Sequence, residues 1–441
     1  MLIDFQVENF LSFRDVCEFS ALATPERQHG DRLSAGPLPR MRILPTTAVF
    51  GGNGSGKSNL VKALQVCRDM VLRGAGPDDR VLVTPFRLDA KYLERPSRFT
   101  LRFLAGEKIF RYAFAATAKE VVEESLVQER TASETVIFKR SRAEGWDLSG
   151  LGKLPADERE FVGFKTRDTL PNQLFLQEMR GKGIAILEEA IAWFRDCLEV
   201  IEPHTFILPF EFFGRDDQLE EFATSMLRHA DTGISRVRFE RLETLPLTEV
   251  ELKEVREALK DETHSHLRRS NDGRRLRFRM RDGEIVADRL VTYHTDTQGR
   301  EVRFEIKEES HGTRRLIDLL PLFYGLIRPG SRKVFVCDEL DGNLHPLIIQ
   351  ALIREFHERC GKETRAQLIF TSHDATLFDQ YLLRRDQLWM CSKKSSGATY
   401  LESLSDYKDV RVDTDIQKGY LLGRYSGVPR VRELLTGGGE K

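Results

Sequence analysis

The sequence has 441 residues, enough for roughly two to three domains of ordinary size. It carries 68 Lys and Arg against 69 Asp and Glu, and this near-neutral balance gives no general reason to expect a nucleic-acid-binding protein. It contains no apolar run of the roughly 18 residues that a membrane-spanning helix needs, so a membrane protein is not expected.

The N-terminal region predicts strands, a glycine-rich loop and a helix. Residues 2–20 keep close to a two-residue period of apolar side chains, which predicts two short strands in a hairpin. Residues 21–40 are rich in Pro, Gly and charge, which favours an irregular loop. The β-rich run ILPTTAVF then leads into GGNGSGKS and into NLVKALQVCRDMVL, whose apolar spacing suits a helix.

The middle of the chain changes its pattern twice. Between about residues 81 and 140, β-like segments separated by charged or Gly-containing turns predict an antiparallel sheet. From about 180 to 260, segments such as IAILEEAIAWFRDCLEVI and LEEFATSMLRHA predict helices, and β-like runs return between 274 and 309. We therefore expect a helical and β insertion over 141–300, between an N-terminal region 1–140 and a C-terminal region 301–441.

The last third alternates helical and β-like segments. The order is helix (TRRLIDLLPLFYGLI), strand (KVFVCDE), helix (PLIIQALIREFHERC), strand (QLIFTSH) and a further helix. This alternation is typical of a parallel sheet, and it predicts an α/β fold.

The cysteines and the N-terminus bear on the cellular compartment. The N-terminal MLIDFQVENFLSF lacks the basic and then apolar order of a signal peptide. The six cysteines are scattered, without a CxxC pair or a His at metal-ligand spacing: Cys17, Cys67, Cys197, Cys337, Cys360 and Cys391. We therefore expect a cytoplasmic protein with reduced, mostly buried thiols.

The strongest chemical signal is the segment GGNGSGKS between a predicted strand and a predicted helix. Glycines let the backbone curl so that N–H groups and the helix N-terminus face a phosphate. Lys57 would reach the β- and γ-phosphates of ATP, and the Ser58 hydroxyl would ligate Mg²⁺. The candidate nucleotide-binding residues of this segment are Gly51, Asn53, Gly54, Ser55, Gly56, Lys57, Ser58 and Asn59.

Two later strands end in polar side chains. The apolar run 334–337 is followed by Asp338 and Glu339, at the carboxyl end of a strand where ligands bind in open α/β sheets. Asp338 would complete the Mg²⁺ site, and Glu339 would polarise the attacking water as a general base. The next β-like run ends at His373, which could contact the γ-phosphate and sense its loss.

Ser310 and Gly312 lie at the predicted start of a helix, shortly before the strand that ends in acids. Small residues at a helix N-terminus can bind an anion, and in isolation the same residues make an ordinary helix cap. Their position ahead of Asp338 favours the anion site.

Together these segments reach a family resemblance. In order, GGNGSGKS, SHGT, VFVCDE, DGNLHP and TSHD resemble the Walker A, signature, Walker B, D-loop and His-switch elements of ABC/SMC-type ATPases. NFLSF, the pair Trp193–Phe194, the segment DTGI from Asp231, DELDGNLHP and GYLLGRYSGVP look like the ATP-binding proteins of bacterial anti-phage loci. That group includes the ATPases of the abortive-infection, PARIS, retron-Septu and overcoming-lysogenisation-defect systems.

The resemblance implies an ABC/SMC-type P-loop ATPase head with an antiparallel β subdomain, in which two copies sandwich two ATP molecules. Regions 1–140 and 301–441 would be the two halves of the head. Ser310 and Gly312 would bind the γ-phosphate held by the partner's Lys57 loop, and Asp341 would couple the two sites. His345 and Pro346 match an HP pair with a structural or interfacial role. SHGT departs from the transporter-like LSGGQ, and no glutamine can be assigned to a Q-loop.

Two functions remain open. One is a regulatory ATPase of an anti-phage system, a dimer or ring of dimers that controls a separately encoded nuclease or toxin. The 68 residues after His373 are too few for a nuclease domain, which is why a separate effector is expected. The other is a DNA-repair or chromosome-maintenance ATPase of the SMC/RecF kind. Its support is the basic stretch 264–282, in which seven arginines could contact phosphates. The solvated face of a β-hairpin that turns at residues 271–273 is the somewhat favoured alternative for this stretch.

Two further classes fit the sequence poorly. The ATPase subunit of a transporter would rarely need so long an insertion, and its signature differs. A hexameric AAA+ motor would not need the switch histidine and the signature serine, which belong to the two-copy geometry.

Overall fold

A computed structural model describes residues 1–73, 76, 78–131, 133–203, 217–259, 266–269, 274–411 and 414–428. The chain divides into two compact units. The first unit comprises Met1–Glu202, Gly330–Leu340 and His357–Lys441, and the second comprises Pro203–Pro329 and Asp341–Phe356. The region boundaries expected from the sequence, at residues 140 and 300, remain a prediction.

The helices and strands are numbered in chain order. The strands are β1 Leu2–Glu8, β2 Cys17–Ser20, β3 Ser34–Ala35, β4 Arg42–Ile43, β5 Thr46–Phe50, β6 Ser97–Ala105, β7 Lys108–Ala116, β8 Val121–Glu129, β9 Glu134–Ser141, β10 Gly145–Asp147, β11 Leu198–Ile201, β12 Ile234–Arg241, β13 His266–Arg269, β14 Arg275–Arg281, β15 Glu284–Thr295, β16 Glu301–Glu305, β17 Val334–Cys337, β18 Gln367–Ser372, β19 Leu388–Lys393 and β20 Thr399–Ser403. The helices are α1 Lys57–Leu72, α2 Ala156–Asp168, α3 Phe175–Glu178, α4 Ala185–Ala192, α5 Asp217–His229, α6 Glu249–Ala258, α7 His311–Ile327, α8 Pro346–His357 and α9 Ile416–Leu421.

The first unit contains a seven-stranded antiparallel sheet in the order β10-β9-β8-β7-β6-β1-β2. The predicted N-terminal hairpin is the pair β1–β2, in which Phe5 lies opposite Phe19. One apolar core joins this sheet to α1 and to the turn that follows α4. In that turn Trp193 stacks on Phe103 of β6 with ring centroids 4.3 Å apart, so this residue of the Trp–Phe pair is a core side chain.

The same unit contains a six-stranded sheet in the order β11-β17-β18-β5-β19-β20. The first five strands are parallel, and β20 closes the edge as the antiparallel partner of β19. Strands β5, β17 and β18 are buried along their whole length, which explains why their sequences are largely apolar runs. Their carboxyl ends lie at one edge of the sheet, and the chain segments that follow them meet there.

Two predicted helices are wrong in part. The segment expected to be helical up to residue 201 ends its α-helix at Ala192, passes through one π turn over Trp193–Cys197, and becomes β11. The sequence LEVI pairs in parallel with β17, so sheet pairing decides its conformation. The helix expected after β18 is a short 3-10 turn at Ala375–Leu377, which Asp374 caps.

The second unit is built around the sheet β12-β15-β14-β13, with β16 paired to β15. Helix α5 packs against β12 and α7. Helix α6 covers β14, where Val255 and Leu259 share an apolar cluster with Leu276 and Phe278. The predicted α/β class, with an antiparallel β subdomain and a helical and β insertion, is confirmed. Across the described ranges, no helix combines the length and the apolar character that crossing a bilayer requires.

Candidate active site

The glycine loop connects β5 to α1 through backbone conformations that side chains disfavour. Gly54 and Gly56 have φ values of 73° and 117°, in the left-handed region. Helix α1 begins at Lys57 directly after Gly56, and no side chain in the described part of the chain caps it there. The N–H groups of a first helical turn need partners, so this end of α1 is suited to an anionic ligand.

Close packing also requires two of these glycines. A Cβ on Gly51 would lie 2.6 Å from Ser55 Oγ and would also clash with the carbonyl oxygen of Cys391. A Cβ on Gly56 would lie 2.7 Å from Thr399 Cγ2 and 2.9 Å from Ser12 Oγ. The glycine loop therefore packs against three residues that are distant in sequence: Ser12, Cys391 and Thr399. Burial raises the pKa of the Cys391 thiol to about 11, which keeps it neutral beside the loop.

Lys57 folds over the loop that it follows. Its side chain is buried, with Nζ donating to the carbonyl oxygens of Gly51 at 2.7 Å and Gly52 at 3.3 Å. Ser58 and Asn59 are half-buried on the first turn of α1, whereas Asn53 and Gly54 are exposed at the tip of the loop. The ammonium group therefore lies against the backbone of the loop that precedes the helix N-terminus.

Asp338 follows β17 and is tied to the neighbouring strand β18. It is 3% exposed, and its Oδ1 accepts a hydrogen bond of 2.5 Å from the hydroxyl of Thr371. The same hydroxyl accepts a bond of 2.8 Å from the backbone N–H of Glu339. Because β18 lies between β17 and β5, Thr371 connects both acids to the strand that precedes the glycine loop.

Glu339 and His373 lie together at the exposed edge of this arrangement. Glu339 has φ 49°, a left-handed conformation that is costly for a residue with a side chain and is common at functional sites. Its Oε1 is 3.9 Å from Nε2 of His373, and the two side chains are 42% and 38% exposed. The first unit therefore brings together the loop residues 51–59, Asp338, Glu339 and His373 at one sheet edge.

A protein-family model described as "AAA domain, putative AbiEii toxin, Type IV TA system" matches residues 46–379. The match covers more than half of the chain. The chain belongs to this AAA-domain family. The matched range of the AAA-domain protein starts with β5 and ends just after His373, so it includes every candidate residue named above. Together with the glycine loop and the strand that ends in acids, membership makes the chain a P-loop protein of the AAA-domain family.

Other comparisons add little detail. No curated protein matches the AAA-domain chain significantly. Among the solved structures that match is the SMC head domain from Thermotoga maritima, which is 14% identical in sequence. The match covers 91% of this chain and 98% of that chain, with a TM-score of 0.37. At this score and identity, no feature of that protein is transferred to this one.

The remaining candidates of the AAA-domain chain, Ser310, Gly312 and Asp341, belong to the second unit. Ser310 caps α7, since its Oγ accepts a bond of 3.0 Å from the Thr313 N–H. A Cβ on Gly312 would lie 2.8 Å from the carbonyl oxygen of Asn343, so the close approach of segment 341–344 requires glycine there. The proposed contact of Ser310 and Gly312 with a partner's nucleotide stays a prediction, as does the coupling role of Asp341.

The basic stretch 264–282 is only partly described, because residues 264–265 and 270–273 lie outside the described ranges, and with them the hairpin turn expected at 271–273. Within it, Arg275 forms an ion pair of 2.8 Å with Asp318, and Arg277 forms one of 2.9 Å with Asp288. The side chains of Arg275 and Arg277 are only 3% and 5% exposed. These two guanidinium groups hold the second unit together and do not form a phosphate-contacting surface, whereas Arg281 is 67% exposed.

The roles of three residues at the site could not be predicted from the sequence alone. Thr371 lies within the TSHD segment, but its role as the link between Asp338 and Glu339 depends on the pairing of β17 with β18. Ser12 belongs to NFLSF, and its hydroxyl accepts a bond of 2.7 Å from Asn59 Nδ2. Thr399 belongs to no recognisable motif, so only the fold places it beside Gly56.

Proposed function

We propose that this protein binds ATP with Mg²⁺ at the N-terminus of α1 and hydrolyses it to ADP and phosphate. The observation that carries the proposal is the meeting of the glycine loop with Asp338, Glu339 and His373 at one edge of a parallel sheet. Each group matches a requirement of phosphoryl transfer, which depends almost entirely on positioning and on neutralising charge.

The residues present fit the magnesium complex of a nucleoside triphosphate. Lys57 would bind the β- and γ-phosphates, together with N–H groups of the loop and of the first turn of α1. Ser58 and Asp338 would hold Mg²⁺, since a hydroxyl and a carboxylate are the oxygen ligands that this ion prefers. When bound, the ion would neutralise charge that develops on the phosphate oxygens.

Glu339 would act as the general base on the attacking water. Its backbone is fixed by the hydrogen bond to Thr371 and by the left-handed φ, so the carboxylate has a defined origin at the sheet edge. His373, 3.9 Å from that carboxylate, would contact the γ-phosphate and respond to its release. Asp338 and Glu339 thus have separate tasks: the buried acid holds the metal and the exposed acid activates water.

For the biological role, we propose a homo-oligomer, a dimer or a ring of dimers, that closes around ATP and controls a separately encoded effector in an anti-phage system. The proposal is supported by the family description, which names a putative toxin and a toxin–antitoxin system, and by the resemblance of the motifs. Ser310 and Gly312 would reach the γ-phosphate of the partner subunit. The DNA-maintenance alternative loses the support of Arg275 and Arg277, which form buried ion pairs.

Phosphate release tests the enzymatic part of the proposal. Wild-type protein should release phosphate from ATP in the presence of Mg²⁺, and this release should stop when EDTA removes the ion. Glu339→Gln should lower the rate by about 100-fold or more while ATP binding persists, because the amide cannot accept the proton. The matched control is Glu358→Gln, which makes the same substitution at an exposed position directly after α8 and should keep the wild-type rate. Full activity of Glu339→Gln would show that Glu339 is not the base.

A further inference from the structure

The glycine loop rests on a small polar cluster, in which two hydroxyl groups from distant parts of the chain meet the side-chain amide of Asn59. Thr399 is 3% exposed at the start of β20, and its hydroxyl donates a bond of 2.7 Å to the carbonyl oxygen of Ser55. Thr399 Oγ1 also lies 2.8 Å from Ser12 Oγ, which accepts from Asn59 Nδ2. The backbone N–H of Thr399 donates to the carbonyl oxygen of Ser12 at 2.8 Å. One cluster therefore holds the loop, the first turn of α1 and the NFLSF segment.

The bond to Ser55 fixes the direction of a neighbouring N–H group. In a planar trans peptide, the C=O of one residue and the N–H of the next point in opposite directions. When Thr399 holds the Ser55 carbonyl, the N–H of Gly56 must therefore point away from Thr399, towards the opposite side of the loop. Backbone N–H groups on that side are what binds phosphate oxygens in a loop of this type.

Thr399 also packs closely against Gly56. A Cβ on Gly56 would lie 2.7 Å from Thr399 Cγ2, so the two residues are in close contact. Gly56 adopts φ 117°, and because a glycine has no Cβ, its peptide groups can change direction unless an outside contact holds them. The cluster supplies that contact.

We propose that Thr399, supported by Ser12, is a positioning residue for phosphate binding: its hydroxyl holds the Ser55–Gly56 peptide so that the loop N–H groups face the nucleotide. The inference rests on the proposed ATP site and deepens it. Thr399 would act on the nucleotide only through the Ser55–Gly56 peptide, so its expected effect is on affinity more than on the chemical step. This role gives the β19–β20 hairpin, far from the loop in sequence, a direct part in nucleotide binding.

Two substitutions at residue 399 separate the hydroxyl from the size of the side chain. Thr399→Val keeps the shape but leaves the buried Ser55 carbonyl without its donor, whereas Thr399→Ser keeps the donor. A matched control is Thr47→Val on β5, because Thr47 is buried and its hydroxyl has no hydrogen-bond partner among the described residues. Binding of a fluorescent N-methylanthraniloyl derivative of ATP with Mg²⁺, and the KM and kcat for ATP, would be measured for each.

We expect Thr399→Val to weaken binding and raise KM by about 10-fold, with kcat within about threefold of wild type, because the loop N–H groups bind ground state and transition state alike. Thr399→Ser and Thr47→Val should stay within about twofold of wild type. A merely structural role would lower the active fraction, and so kcat, without moving KM.

A second variant keeps the test decisive if Thr399→Val does not fold. Ser12→Ala leaves the Thr399 donor in place and should weaken binding by about threefold through loss of its support. Wild-type affinity in Thr399→Val would overturn the inference, as would equal losses in Thr399→Val and Thr399→Ser. If Thr399→Val does not fold, wild-type affinity in Ser12→Ala would overturn it. Absence of nucleotide binding by the wild-type protein would instead overturn the proposed function, and the inference with it.

Discussion

Small residues lie at two helix N-termini of this molecule, which differ in the partners that their N–H groups have. Helix α7 is capped by its own sequence, with Ser310 Oγ accepting from the Thr313 N–H. Helix α1 starts after Gly56 with no capping side chain in the described part of the chain, and it is preceded by left-handed glycines. One N–H group of α7 therefore has a partner within its own sequence, whereas the first turn of α1 has no such side chain and is suited to an anionic ligand.

The largest expected effect tests the uncapped end. Lys57→Ala should weaken binding of Mg²⁺ and ATP by about 100-fold, because it removes a charge-assisted contact to the phosphates. Lys62→Ala is the matched control, since Lys62 is exposed on the same helix. Isothermal titration calorimetry would measure both affinities. Equal affinities of the two variants would mean that the N-terminus of α1 is not the phosphate site.

A smaller effect, on kcat, is expected for substitution of Thr371 on β18. Thr371→Val should lower kcat by about 10-fold, because Asp338 loses a buried donor and the Glu339 N–H loses its acceptor. Thr371→Ser keeps both bonds and should stay within about twofold of wild type. Steady-state phosphate release at saturating ATP would measure this. If valine and serine behave alike, the hydroxyl does not organise the two acids.

The smallest effect concerns the self-capped end. Ser310→Ala should lower the free energy of unfolding by about 1 kcal/mol, whereas Ser310→Asn, which can still cap, should be nearly neutral. Urea unfolding would measure both. If the hydroxyl also contacts a partner's γ-phosphate, both variants should lose ATP-dependent association. Normal association of Ser310→Asn would leave Ser310 as a helix cap and nothing more.

How far the sequence predicts this site depends on the range of each contact. The glycine loop and the strand that ends at Asp338 are local patterns, with a turn, a helix start and an apolar run within a few residues. The contact of Thr399 with the loop joins residues far apart in sequence and has no periodic signal. The buried ion pairs of Arg275 and Arg277 cannot be predicted from the sequence either, because a run of basic residues has the same pattern whether its side chains face solvent or pair with distant carboxylates.

The fold shows the same limit. The alternation of helices and strands in the last third predicts the parallel sheet, but LEVI after α4 continues an apolar period that suits a helix. Its conformation is decided by pairing with β17, a distant partner in sequence, in the register that places Leu198 beside Val334. Tertiary pairing of this kind overrides local preference.

In the proposed mechanism, ATP bound at the N-terminus of α1 brings two copies of the chain together. Light scattering of Glu339→Gln with and without ATP and Mg²⁺ tests it most directly, because this variant should retain the nucleotide. The molar mass should double, or rise to that of a larger ring of dimers, only when ATP is present, and it should not change when Lys57→Ala is combined with Glu339→Gln. A mass that stays at one chain in saturating ATP would contradict ATP-dependent association.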